Sequence, residues 1–299
     1  MSEQNLCDLN EIKLLLARHG FRFSKNLGQN FLCDRTVPQQ IADNAGITAE
    51  HGVLEIGPGI GALSAQLCLR AKKVAAIELD QRLAPILQET MADYDNFHLI
   101  HGNVLKLDLA QICKEEFGDM PVIACANLPY YITTPAIEAL LECACFSAIV
   151  VMVQKEAAER ICASAGQDAY CAFSVQTAYH AQTEIILEVP RSCFVPSPNV
   201  DSAVLRLTPW DRYTCRFSKK SVYRVIRAAF NNRRKTLANG LSIEYQNRIS
   251  KGTAAELLRS LGLPEDIRGE RLTVDQFCQL AESLDRCFAS PGGATEPTH

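Results

Sequence analysis

The chain has 299 residues, 47% of them hydrophobic and 21% charged, with a formal net charge of −4. That length and balance suit one ordinary core with a smaller domain beside it. No apolar run reaches the roughly eighteen residues of a membrane span, and the start MSEQNLCDLNEIKLLL lacks the basic end and apolar core of a signal peptide, so the expectation is a soluble, cytoplasmic protein without membrane contact.

In chain order, Leu9, Ile12, Leu15 and Leu16 recur at helical spacing, and Gly20 ends the pattern. Residues 21 to 32, FRFSKNLGQNFL, have no period and mix aromatic, amide and basic side chains, as binding loops do. A helix over about Asp34 to Ala45 precedes the first strand, Gly52 to Ile56. Then comes Gly57-Pro58-Gly59-Ile60-Gly61 and a helix through Leu63, Leu67 and Leu69. A strand feeding a glycine turn and a helix lets a ligand approach backbone amides. The spacing is G-x-G-x-G with Ala62 following, whereas seating a pyrophosphate takes G-x-G-x-x-G. A nicotinamide dehydrogenase is disfavoured on that ground. The second strand, Val74 to Asp80, carries Glu78, and an acid at its end suits ribose hydroxyls.

A third strand, Phe97 to Ile100, leads to Gly102 and Asn103; a fourth, in the apolar run Met120 to Ala126, ends in Asn127-Leu128-Pro129-Tyr130. Alternating strands and helices make a parallel sheet, and open sheets of this kind bind ligands at the carboxyl ends of their strands. Asn127 and the rigid backbone before Pro129 offer two carbonyl acceptors to one amine, and Tyr130 offers a ring for a flat partner such as adenine. A helix from Pro135 to Leu141, a strand from Ala148 to Val153 and a helix from Lys155 follow. Thr183 to Val189 and Ser202 to Leu207 read as a closing hairpin. Between them, Pro196 and Pro198 stiffen a loop that makes Phe194 a preset wall for a planar base.

Thirteen cysteines are scattered among apolar neighbours with no C-x-x-C pair, which fits buried thiols in a reducing compartment and neither disulfides nor zinc. Charge is unevenly divided. From Pro209 onward there are 15 Lys and Arg against 10 Asp and Glu, and Arg212 to Lys235 holds nine basic residues with no acidic one. That asymmetry is the footprint of a polyanion-binding surface. Val222, Val225, Ile226, Ala229 and Phe230 give the same segment a buried helix face, and Asn231-Asn232 suit its end. Arg224, Arg227, Arg233, Arg234 and Lys235 are the candidate phosphate contacts. The division expected is a catalytic domain over 1–208, a helical basic RNA-binding domain over 209–288 and a disordered tail over 289–299.

Taken together, KNLGQNFL (25–32), LEIGPGIGALS (54–64), IELD (77–80), NLPYYITTP (127–135), FVPSPNVDSAVLRL (194–207) and FNNRRKTLANGL (230–241) resemble the small-subunit ribosomal RNA dimethyladenosine transferases. The resemblance spans about residues 21 to 285. It implies an α/β fold of the S-adenosylmethionine (SAM)-dependent, Rossmann-like kind, a mostly parallel seven-stranded sheet with a small all-helical C-terminal domain. The activity implied is transfer of methyl groups from SAM to the N6 amines of two adjacent adenines near the 3′ end of 16S rRNA, in a pre-30S particle, by a monomer that needs no metal.

The same resemblance implies roles for individual residues. Asn30 and Leu32 line the methionine end of SAM, with Gly57 beneath it and Gly59 in the same turn; Glu78 holds the ribose hydroxyls. Asn103 stands where the family commonly has Asp, and its amide oxygen is expected to meet the adenine amine of SAM with less charge assistance. Asn127 sits where methyl donor meets target. Its carbonyl and that of Leu128 receive the amine protons while Tyr130 and Phe194 sandwich the base. Two further readings stay open at this point: a large-subunit rRNA methyltransferase of the macrolide-resistance type, and a non-catalytic RNA-binding assembly factor.

Overall fold

The computed structural model describes residues 5–24, 28–214, 216–246 and 248–289. It divides into two compact units: one runs to Ala158 and resumes over Thr183–Pro209, and the other takes Glu159–Gln182 and the chain from Trp210 on. The sequence predicts a single break near residue 209. Glu159–Gln182 joins the second unit instead because Tyr170, Val175 and Tyr179 pack in its apolar cluster. Beyond Ala289, the expected tail lies outside the described residues, as do residues 25 to 27 of the glutamine-asparagine loop.

The first unit opens with α1 (Leu9–Arg18), capped by the Asp8 side chain, which accepts from the backbone amides of Asn10 and Glu11. Its seven-stranded sheet uses β2 (Gly52–Ile56), β3 (Lys73–Glu78), β4 (Phe97–His101), β5 (Val122–Asn127), β6 (Phe146–Gln154), β7 (Ala181–Val189) and β9 (Ser202–Pro209), in the order β4-β3-β2-β5-β6-β9-β7. Strands β4 through β6 pair in parallel, and β9 runs antiparallel to β6. The expected neighbours β7 and β9 do lie side by side. Helices α2 (Thr36–Asn44), α3 (Ala62–Cys68), α4 (Ala84–Thr90), α5 (Leu109–Phe117) and α6 (Thr133–Cys143) connect or flank these strands, and α7 (Lys155–Cys162) follows β6.

Every residue of β2 is buried, as are the last five of β3 and the first five of β5. Continuous apolar runs such as Val122 to Ala126 therefore reflect strands covered on both faces, where alternation has no solvent side to report. A separate two-stranded ribbon, β1 (Phe31–Leu32) with β8 (Phe194–Val195), pairs Leu32 with Phe194. Two-residue strands leave no period to read, which is why the sequence presents them as loops.

The second unit is built from helices α8 (Ala172–His180), α9 (Lys219–Phe230), α10 (Leu237–Glu244), α11 (Lys251–Ser260) and α12 (Val274–Ala289). Helix α9 begins at a Ser218 cap, and Val222, Val225, Ile226 and Ala229 form its buried face, as their spacing predicts. No helix among the described residues is long and apolar enough to cross a membrane.

Candidate active site

From β2 the chain order runs one way across the sheet to β3 and β4, and from β5 it runs the other way to β6. The carboxyl ends of β2 and β5 thus form the switch point where open α/β sheets leave a crevice. Register aligns what projects into it. Ile56 pairs with Ile77 on one side and Ala126 on the other, so the next residues, Glu78, Gly57 and Asn127, stand in one row. One cavity is lined by Asn30, Leu32, Gly57, Gly59, Glu78, Asn103, Asn127, Leu128, Tyr130 and Phe194. All ten candidate residues of the first unit are brought together.

The glycine side fits a nucleoside cofactor. Gly57 has φ +69°, and a Cβ built on it meets nothing within 4 Å, so its open side is cavity and not packing. Its amide is spent on the Ile77 carbonyl at 2.9 Å, which fixes the turn. Glu78 is 8% exposed; Oε1 accepts from the Asp80 amide at 2.7 Å, and burial lifts the carboxyl above its ordinary pKa against the pull of that amide. Asn103 Oδ1 already accepts from the Leu105 amide at 2.9 Å. A carbonyl oxygen has two lone pairs, so one acceptor position remains for an incoming amine. Leu79 and Leu105, both exposed, line the same cavity and supply apolar surface for a ring.

At the end of β5, Asn127 Nδ2 donates to the Asn30 main-chain carbonyl at 3.3 Å. That bond turns the amide so that Oδ1 is left over, and no described residue donates to it. Leu128 is buried and gives its N–H to the Met152 carbonyl at 3.1 Å, which pins the backbone at this turn. Tyr130 is half-buried, and its hydroxyl hydrogen-bonds the buried Ser202 hydroxyl at 2.9 Å. Phe194 is 4% exposed and held by the β1–β8 ribbon, so it is a fixed wall.

Sequence reasoning assigns no role to Gln29, Glu55, Asp80 or Arg82, although the first three fall inside the motifs quoted above. Gln29 Nε2 donates to Asp80 Oδ2 at 2.8 Å and its Oε1 accepts from the Ser24 amide at 3.0 Å, tying the loop before β1 to the end of β3. Arg82 grips Asp80 through Nε at 2.8 Å and holds its carboxyl below the usual range. Glu55, buried beneath the cavity with Oε2 unpartnered, has its pKa pushed up to about 8 by burial and, less, by the nearby Glu78. An acidic residue inside an apolar strand was the available signal for Glu55; the Gln29–Asp80 pair spans 51 residues and had none.

The second unit corrects one expectation. Arg224, Arg227 and Arg233 have acidic partners in space although none is adjacent in sequence. Arg227 and Arg224 reach the Glu244 carboxylate at 3.2 and 3.9 Å, and Arg224 also lies 3.8 Å from the centre of the Tyr245 ring. Arg233 pairs with Glu270 at 2.6 Å and donates to the Asp168 carbonyl at 3.0 Å. Arg224 and Arg227 thereby tie α9 to α10, and Arg233 ties the turn after α9 to the 3₁₀ turn Gly269–Arg271. Arg234 and Lys235 are exposed, with no acidic partner among the described residues.

A mostly parallel seven-stranded sheet with a cavity at its switch point, beside a G-x-G turn that lacks the pyrophosphate spacing, is an open α/β fold that takes its ligand at the strand ends. The model of the ribosomal RNA adenine dimethylase family matches residues 20–286, and the chain belongs to that family. It is 45% identical over 274 residues to the ribosomal RNA small subunit methyltransferase A of Lachnoclostridium phytofermentans, covering 91% of this chain and 94% of the relative. The protein of the same description from Geobacillus thermodenitrificans is 45% identical over 280 residues, 92% of this chain and 96% of the relative. Among solved structures, a dimethyladenosine transferase from Plasmodium falciparum aligns with a TM-score of 0.72 at 26% identity, over 85% of this chain and 97% of that one. The 23S rRNA methyltransferase ErmE aligns with a TM-score of 0.65 at 25% identity, over 85% and 99%.

Proposed function

We propose that the protein transfers methyl groups from SAM to the exocyclic N6 amines of two adjacent adenines near the 3′ end of 16S rRNA, giving dimethyladenosine in a pre-30S particle. Its setting in this reading is the cytoplasm, and it acts as a monomer. The relatives at 45% identity are described as small-subunit enzymes, which favours this substrate over the large-subunit one. The single observation that carries the chemistry is the hydrogen bond from Asn127 to Asn30, which leaves an oriented acceptor in the cavity.

When bound, SAM supplies a methyl group already activated by its sulfonium charge, so the protein's task is position. Gly57, Gly59, Asn30 and Leu32 hold the cofactor's methionine half, Glu78 its ribose and Asn103 its adenine. An adenine N6 lone pair is delocalised into the ring and is a poor nucleophile. Asn127 Oδ1 and the Leu128 carbonyl accept the two amine hydrogens, which favours a pyramidal nitrogen with its lone pair free. Tyr130 and Phe194 take the base between them after it leaves its stack. The second unit provides the basic surface that meets rRNA phosphates, through the exposed Arg234 and Lys235 more than through the paired arginines.

Purified protein and tritiated SAM, incubated separately with small subunits lacking the modification and with large subunits, test the reading. Label recovered as dimethyladenosine in 16S rRNA supports it. Label in large-subunit rRNA supports the resistance-type reading, and no transfer to either supports the non-catalytic one.

A further inference from the structure

Residues 130 to 132 form a single 3₁₀ turn after Pro129, and three residues per turn send consecutive side chains about 120° apart. Tyr130 and Tyr131 accordingly part company. The Tyr130 hydroxyl is anchored inward on Ser202, whereas Tyr131 is 57% exposed while still lining the rim of the same cavity. Among the large apolar side chains exposed on the described residues only two are aromatic, Phe23 and Tyr131, and Tyr131 is the more exposed.

The ring is also held. Gly28 has φ +58°, and the position a Cβ would take there lies 3.5 and 3.6 Å from Cδ1 and Cε1 of Tyr131 and 3.6 Å from the Pro129 Cβ. One side of the ring therefore rests against the loop that delivers Asn30, and the remainder is open. Its setting couples it to both halves of the site: Asn30 receives the Asn127 hydrogen bond, and Pro129 stiffens the turn.

We propose that Tyr131 is the stacking platform for the nucleotide that flanks the target adenine, a proposal that rests on the rRNA-methylation reading above. Drawing one base out of a strand strips its neighbour of a stacking partner at the mouth of the pocket. An aromatic ring at that mouth replaces the missing partner whatever the base, since every base has a π-face, and favours a purine only through its larger stacking area. Tyr131 is thus a positioning residue: it touches the strand beside the target and has no part in methyl transfer itself.

The test compares the parent with Tyr131→Ala, Tyr131→Phe and Tyr131→Trp in the full-length protein, on unmodified small subunits with a purine or a pyrimidine next to a target adenine. Tyr131→Ala is expected to raise KM for the subunit about five- to hundredfold, the scale for losing one base–aromatic stack, with kcat and SAM affinity within about twofold of the parent. Phe and Trp restore KM, and the parent's preference for the larger flanking base disappears in Tyr131→Ala. An unchanged KM in Tyr131→Ala, a Phe variant as poor as Ala, or a flanking-base preference that survives in Tyr131→Ala overturns the proposal. A parent enzyme that transfers nothing to the small subunit defeats the underlying reading instead, and is told apart by the parent's own rate.

Discussion

The side-chain amide of Asn127 donates to the main-chain carbonyl of Asn30, 97 residues earlier, at 3.3 Å. Asn127→Ala removes the acceptor Oδ1 and this tether but leaves the Gly57 turn and Glu78 in place. Methyl transfer should fall about a hundredfold or more, the scale for losing one oriented polar group, with SAM affinity little changed. Glu78→Ala should do the reverse and weaken SAM binding first. Calorimetry with SAM alongside a transfer assay checks both; loss of SAM affinity in Asn127→Ala is the contrary result.

Glu55 links stability to pH. Its folded pKa of about 8 lies above its ordinary 4.5, so the folded state binds a proton that the unfolded chain has released. The stabilisation is fully present below the unfolded value and is lost as pH rises through about 8. Glu55→Gln, which copies the protonated form, should be the more stable protein by several degrees in Tm at alkaline pH and should match the parent under acid conditions. Thermal melts of the cofactor-free protein across pH decide it, and parallel curves for the two proteins would argue against a buried, neutral Glu55.

At Tyr130 the hydroxyl is bonded to Ser202, and the ring is the stacking surface of the proposed function. Tyr130→Phe leaves the buried Ser202 hydroxyl without its partner, at a cost of about 1 to 3 kcal/mol, and should keep most of its transfer activity. Tyr130→Ala loses the stacking surface and with it the activity. Denaturant melts and initial rates on the two variants separate the effects; equal loss of rate in both would give the hydroxyl a role in the reaction.

The basic residues of the second unit should divide by their partners. Arg234→Ala with Lys235→Ala is expected to lower the log–log salt slope of subunit binding by about two, one unit for each phosphate no longer neutralised. Arg233→Ala breaks the Glu270 pair and should act on stability, leaving the slope close to the parent's. Binding titrations over a salt series distinguish them, and an unchanged slope in the double variant would move the phosphate surface elsewhere.

Residues that lie at strand ends were legible because parallel sheets put ligands there. Gly57 follows β2 while Glu78 and Asn127 close β3 and β5, three strands whose register aligns them, and each was readable from its own strand. What stayed hidden depends on distance along the chain. The pairing of Arg233 with Glu270 spans 37 residues, so an acid-free stretch in sequence is not an acid-free surface in space. The Gln29–Asp80 bond and the transfer of Glu159–Gln182 to the second unit likewise follow from packing and leave no periodic trace.

The central claim is that this chain methylates small-subunit rRNA through Asn127. Mass spectrometry of 16S rRNA from cells lacking the protein, complemented with either the parent or Asn127→Ala, tests it most directly. The account predicts dimethyladenosine near the 3′ end with the parent alone, and its absence both in the uncomplemented cells and with Asn127→Ala. Dimethyladenosine at an unchanged level in cells without the protein, or restored by Asn127→Ala as fully as by the parent, would contradict it.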